Sequence, residues 1–158
     1  HSLQNMTLFL LILGIIFSGT SVMSRNATAA PSSEEVSALL WLHDNSYENA
    51  IILTAEKYAA LTATVTERRV LVDRKSAMDP LYGDVVRDIE NLYMTRKIDV
   101  ANALLEKYQI DYIVVFSEMK EGLIWNSEHE GLLFVLENGE NFKKVFENNK
   151  IIIWSVYY

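Results

Sequence analysis

Apolar and polar positions divide the chain into one uncharged stretch followed by short periodic segments. Residues 6–17, Met-Thr-Leu-Phe-Leu-Leu-Ile-Leu-Gly-Ile-Ile-Phe, form a nearly continuous apolar run with no helical or strand periodicity. Beyond it, Ser32 or Ser33 is a good N-cap, with Glu34 and Glu35 at the positive end of a first turn. Val36, Leu39, Leu40 and Tyr47 then mark one helical face, with Trp41 on its flank. Ala50-Ile51-Ile52-Leu53-Thr54 has the form of a strand buried on both faces, and a short helix is expected over 57–66. Arg69-Val70-Leu71-Val72-Asp73 reads as a second strand. Asp79-Pro80 opens a helix with Tyr82, Val85, Val86, Ile89, Leu92 and Tyr93 on its apolar face. Asp99 is placed to cap another helix, which runs through Val100, Leu104, Leu105 and Tyr108. A third buried strand follows at residues 111–116.

After Ser117 the pattern changes. Residues 128–137 read as a helix ended by Asn138-Gly139, and two further strands, 142–146 and 151–157, meet around Asn148-Asn149 as a hairpin. Three buried strands with helical crossovers and a closing hairpin predict an α/β fold. Its expected form is a mixed, mainly parallel sheet with helices on both faces and a C-terminal β-hairpin.

The N-terminal run changes this picture. Uncharged flanks from Leu3 to Met23 extend it to about 21 residues, close to the ~20 that a membrane-spanning helix needs. The expected organisation is a transmembrane helix over 1–24, a linker over 25–33 and an extracytoplasmic α/β domain over 34–158. A secretory signal peptide cleaved near Ala27–Ala30 and a buried core helix are the rival readings; the first lacks a basic n-region, the second any polar periodicity. A chain beginning with His1 rather than Met is expected to extend upstream. Asn26-Ala27-Thr28 is an N-glycosylation sequon just past the apolar run, which favours an extracytoplasmic domain and a glycoprotein.

Composition narrows the chemistry. The 158 residues carry 14 Lys+Arg, 21 Asp+Glu and no Cys, for a formal charge of −7, and none of these charged residues precedes Arg25. The acidic remainder, roughly 134 residues, holds one core. Without a basic cluster a nucleic-acid partner is not expected. Without Cys, disulfide scaffolds, thiol catalysis and zinc fingers are excluded. His43 beside Asp44 fits a helix C-terminus, and His129 lies among Glu128 and Glu130; neither has a spaced partner, so no metal and no cofactor is expected. No Gly-rich phosphate loop follows a strand, Ser117 sits in no Gly-x-Ser-x-Gly elbow, and no catalytic residues are assigned.

Ligands of open α/β sheets lie beyond the carboxyl ends of the strands. Those ends carry Glu56, Lys57 and Tyr58 after the first strand, Asp73, Arg74 and Lys75 after the second, and Ser117 and Glu118 after the third. Together they form a candidate mixed-charge binding rim for a sugar or peptide, or a solvated loop edge with local ion pairs. Trp41, Tyr82, Tyr93 and Tyr112 fall on periodic faces and read as core. Trp125, Trp154, Tyr157 and Tyr158 are open to a surface or membrane contact.

Longer segments carry a resemblance. Trp41-Leu42-His43-Asp44-Asn45-Ser46 leads through Asn49-Ala50 into Ile51-Ile52-Leu53-Thr54. Asp88-Ile89-Glu90-Asn91-Leu92-Tyr93-Met94-Thr95 is followed by residues 103–115, and the chain closes on residues 142–154. Over residues 33–156 this resembles the C-terminal extracytoplasmic domain of polytopic GT-C-type membrane glycosyltransferases and related archaeal-type proteins, an order of elements shared with oligosaccharyltransferase catalytic subunits. Where oligosaccharyltransferases carry Trp-Trp-Asp-Tyr-Gly, which recognises the acceptor sequon, this chain reads Ala55-Glu56-Lys57-Tyr58-Ala59-Ala60. Asp73-Arg74-Lys75-Ser76-Ala77-Met78 resembles their Asp/Lys motif at a different spacing. The resemblance implies an accessory or acceptor-binding domain of a membrane protein that uses lipid-linked sugars. Its implied partners are membrane lipid and the remaining transmembrane helices of a parent protein, and catalytic carboxylates lie outside this chain. The alternatives are a stand-alone, non-enzymatic surface or filament subunit whose apolar helix packs against copies of itself, and a secreted binding domain cleaved near Ala30.

Overall fold

A computed structural model describes residues 30–71, 83–127 and 129–158. The chain divides after Ser32, and residues 33–158 form the second, compact unit. The apolar run 6–17, the sequon at Asn26 and residues 72–82 lie outside the described residues. Among those described, no helix is long and apolar enough to cross a membrane.

The second unit begins with α1 (Ser33–Asn45), whose first turn holds Glu34 and Glu35 against the helix dipole. Its buried face is Ala38, Leu39 and Leu42; Leu40 and Tyr47, expected on that face, are exposed. Position 38 carries only a methyl group, which hides it from a reading by large apolar residues. β1 (Ile51–Leu53) leads into α2 (Glu56–Thr66) and β2 (Arg69–Val70). α3 (Gly83–Met94) and α4 (Ile98–Lys107) follow, and the N-cap of α4 is Lys97, so Asp99 sits inside the first turn rather than capping it. β3 (Tyr112–Phe116) runs into an irregular helical turn (Met119–Leu123). α5 (Gly131–Asn138) is closed by the Gly139 N–H, which donates to the Val135 carbonyl at 2.8 Å. β4 (Phe142–Glu147) and β5 (Ile151–Val156) form the hairpin. Its loop is held by Asn148 Oδ1, which accepts from the Lys150 and Ile151 N–H groups at 2.9 and 2.8 Å.

The five strands among the described residues make one sheet in the order β2-β1-β3-β5-β4. β1 is parallel to β2 and to β3, while β3–β5 and β5–β4 are antiparallel. Each parallel ladder pairs two residues and each antiparallel ladder five, so among the described residues the sheet is mixed but mostly antiparallel, not mainly parallel. The reason is that the hairpin docks on β3 through β5 along its whole length, from Tyr112↔Ser155 to Phe116↔Ile151. Ile113, Val114, Val115 and Phe116 are successively buried. Neighbouring strand residues point to opposite faces, so both faces are covered at the sheet's centre. Asp111 ties β1 to the start of β3: its carboxylate accepts the Ile51 N–H at 2.7 Å, and its own N–H donates to the Ile51 carbonyl at 2.9 Å.

Candidate functional site

Where β1 ends, Thr54 and Ala55 remain buried and the chain turns directly into α2. Ala55 supplies no side-chain cap, so the first turn is closed by backbone, the Tyr58 N–H donating to the Ala55 carbonyl at 2.9 Å. This tight start projects Glu56 and Lys57 outward and Tyr58 inward. Tyr58 is buried and its ring lies parallel to Phe116, centroids 3.7 Å apart and planes 3° from parallel. Burial, reinforced by the Glu118 carboxylate, pushes the Tyr58 phenol well above its ordinary range. Lys57 forms an ion pair with Glu118, joining the start of α2 to the segment after β3. Hydrogen bonding to the Lys57 ammonium, and next to the Tyr58 hydroxyl, holds Glu118 below the usual carboxylate range. Both partners of the ion pair are half-exposed, so it positions more than it stabilises.

Beside this start lies a cleft of about 800 Å³, lined by Ala55 and the first turns of α2 (Glu56, Lys57 and Ala60), the end of α3 and the turn after β3. Glu90, Tyr93 and Met94 form one wall and Leu123 and Ile124 another. The walls are apolar and Glu56, Lys57 and Glu90 supply the charge, the usual make-up of a ligand cleft. Behind it, the Trp125 Nε1–H donates to the Tyr93 carbonyl at 2.8 Å while the two rings meet edge to face, centroids 5.7 Å apart. Gly131 packs against the same carbonyl with φ +48°. The Tyr93 hydroxyl is buried with no hydrogen-bond partner among the described residues, and its burial pushes the phenol far above its ordinary range.

The candidate rim is therefore divided. Glu56 and Lys57 line the cleft, and Glu118 reaches Lys57 across its edge. Tyr58 is a core residue whose ring does not face solvent. Ser117 lies elsewhere: its N–H donates to the Lys150 carbonyl at 2.8 Å, and it lines a separate pocket of about 140 Å³ against the hairpin loop. Asp73, Arg74 and Lys75 lie outside the described residues. Glu90, Met94, Leu123 and Ile124 were not singled out from sequence. Glu90, Tyr93 and Met94 share an i, i+3, i+4 row that marks one face of α3, but nothing in residues 123–124 announces their place opposite it.

The remaining candidates have structural roles. His43 Nδ1 donates to the Thr66 carbonyl at 2.8 Å, tying α1 to the end of α2 rather than acting as a free surface cap. Arg68 reinforces the junction, donating to the His43 and Ser46 carbonyls, both at 2.9 Å. Trp125 and Trp154 are buried, whereas Tyr157 and Tyr158 are exposed. No group of three or more His, Asp or Glu is arranged to hold a metal among the described residues.

No protein-family model matches the sequence, and no curated protein matches it. The fold does match. It is similar to the fold of C-terminal globular domains of archaeal oligosaccharyltransferases, in keeping with the resemblance carried by the sequence. One such domain, from the Archaeoglobus fulgidus oligosaccharyltransferase AfAglB-S2, superposes with a TM-score of 0.61 at 15% identity, covering 80% of this chain and 99% of its own. A second C-terminal globular domain from the same organism gives a TM-score of 0.51 at 18% identity, over 81% of this chain and 98% of its own.

Proposed function

We propose that the chain is the extracytoplasmic domain of a glycosyltransferase-like membrane protein that uses lipid-linked sugars, and that its cleft receives acceptor polypeptide. The observation that supports this is the place of the cleft. It opens at the carboxyl end of β1, on the segment 55–60, within a fold shared with oligosaccharyltransferase C-terminal domains. The walls suit a peptide, with backbone and side chains lying along Met94, Leu123 and Ile124. In this reading the chain binds and orients while the reacting carboxylates and the sugar-carrying lipid belong to membrane-embedded parts. The apolar run 6–17 anchors the domain, and Asn26 is a glycosylation acceptor on the same side of the membrane.

The test is a titration of the ¹⁵N-labelled 158-residue chain in detergent micelles with a soluble Asn-x-Thr peptide. Amide shifts are expected to concentrate at residues 55–60, 93–94 and 123–124. Shifts confined to other surfaces, or none at millimolar peptide, would overturn the reading.

A further inference from the structure

The cleft's charges are not balanced. Lys57, the one cation among its lining residues, is engaged by Glu118. Glu56 on α2 and Glu90 on α3 are exposed, and neither has an ion pair or side-chain hydrogen bond among the described residues. Between them the cleft offers hydrocarbon: Met94 is 63% and Leu123 45% exposed. Two unmatched carboxylates bordering an apolar surface, in a chain of formal charge −7, describe one kind of side chain. A lysine or arginine has an aliphatic stem that packs on apolar surface and a cationic head that seeks carboxylate.

Resting on the acceptor-binding reading, we infer that the cleft selects peptides bearing a Lys or Arg beside the acceptor residue, with Glu56 and Glu90 holding the charged head while Met94 and Leu123 pack the stem. An apolar side chain alone would leave both carboxylates unused, and an acidic one would meet repulsion from each. Lys57 cannot reverse this preference, because its charge is already matched by Glu118. Exposed carboxylates contribute modestly, so discrimination is expected at about 1.4- to fivefold in Kd per matched charge at low salt, falling as ionic strength rises.

The experiment compares three soluble peptides, identical except for Lys, Ala or Glu beside the sequon, by titration calorimetry on the full chain in micelles. The expected order is Lys tighter than Ala, and Ala tighter than Glu. The Lys-to-Glu ratio should shrink towards one at 1 M salt and in the E56Q/E90Q variant. Glutamine keeps the shape of glutamate at two exposed sites, and the salt series on the unmodified chain gives a second measurement independent of that variant. Equal affinities for the Lys and Glu peptides, or a preference untouched by E56Q/E90Q, would overturn the charge selection while leaving peptide binding intact. Failure of all three peptides to bind would instead remove the acceptor reading, and this inference with it.

Discussion

Gly131→Ala is the substitution with the sharpest expected consequence. Gly131 has φ +48°, a conformation that costs a residue with a Cβ about 1–2 kcal/mol. The added methyl group would stand 2.0 Å from the Tyr93 carbonyl oxygen and 2.8 Å from Trp125 Nε1, so backbone must shift. That shift breaks the 2.8 Å hydrogen bond between those two groups, both buried, at about 1–3 kcal/mol. Together the terms give a loss of about 2–5 kcal/mol, a large part of the stability of a domain this size. Urea denaturation followed by far-UV circular dichroism and by tryptophan fluorescence would read it as a lower midpoint at unchanged slope. Gly83→Ala is the control: its Cβ meets nothing within 4 Å at the start of α3, and a gain of up to about 1 kcal/mol is expected. A loss no greater than about 2 kcal/mol for Gly131→Ala would refute the packing argument, since the left-handed backbone alone accounts for that much.

Two further outcomes follow from contacts away from the cleft. Arg68→Ala should cost about 2 kcal/mol in the same denaturation assay, because its guanidinium satisfies carbonyls at the ends of both α1 and α2; Arg68→Lys should recover only part of this, a single ammonium being unable to reproduce the fork. In alkali, Tyr158 should titrate late: burial of its hydroxyl, with the Asp111 carboxylate near, pushes it up to about 12. The folded chain holds that proton more tightly than the unfolded one, so the stability it contributes is intact below about pH 10 and is lost as pH rises towards 12. Urea midpoints measured from pH 9 to 12 should fall less for Tyr158→Phe than for the unmodified chain, and identical curves would remove the assignment.

Most of the elements were legible because their signals are local. The apolar runs at 51–53 and 112–116, the row Ile89, Leu92 and Tyr93, and the Asn148-Asn149 turn each depend on residues within a few positions of one another. What was illegible depends on pairing at a distance. Parallel β1–β3 and antiparallel β3–β5 contacts leave the same continuous buried run in β3, so the balance of the sheet could not be read from that strand. Tyr58 has the same difficulty: nothing near it in sequence announces that Phe116, 58 positions on, will take its ring into the core. The cleft was half visible. Glu56 and Lys57 follow from the rule that ligands gather at strand ends, whereas Leu123 and Ile124 reach it through an irregular turn whose Gly122 has φ +111°, a backbone reversal that no hydrophobic period marks.

The place of β5 between β3 and β4 has a consequence for biosynthesis. As the chain leaves the ribosome, β1, β2 and β3 can assemble early, but β3 then presents its unpaired edge, and Val114, Val115 and Phe116 wait for partners that residues 151–156 alone supply. β4, already made, has no strand to join until β5 inserts beside it. The sheet is thus sealed from its middle by the last of the described strands to be translated. The interval before that insertion is when the nascent chain is most open to aggregation and to chaperones.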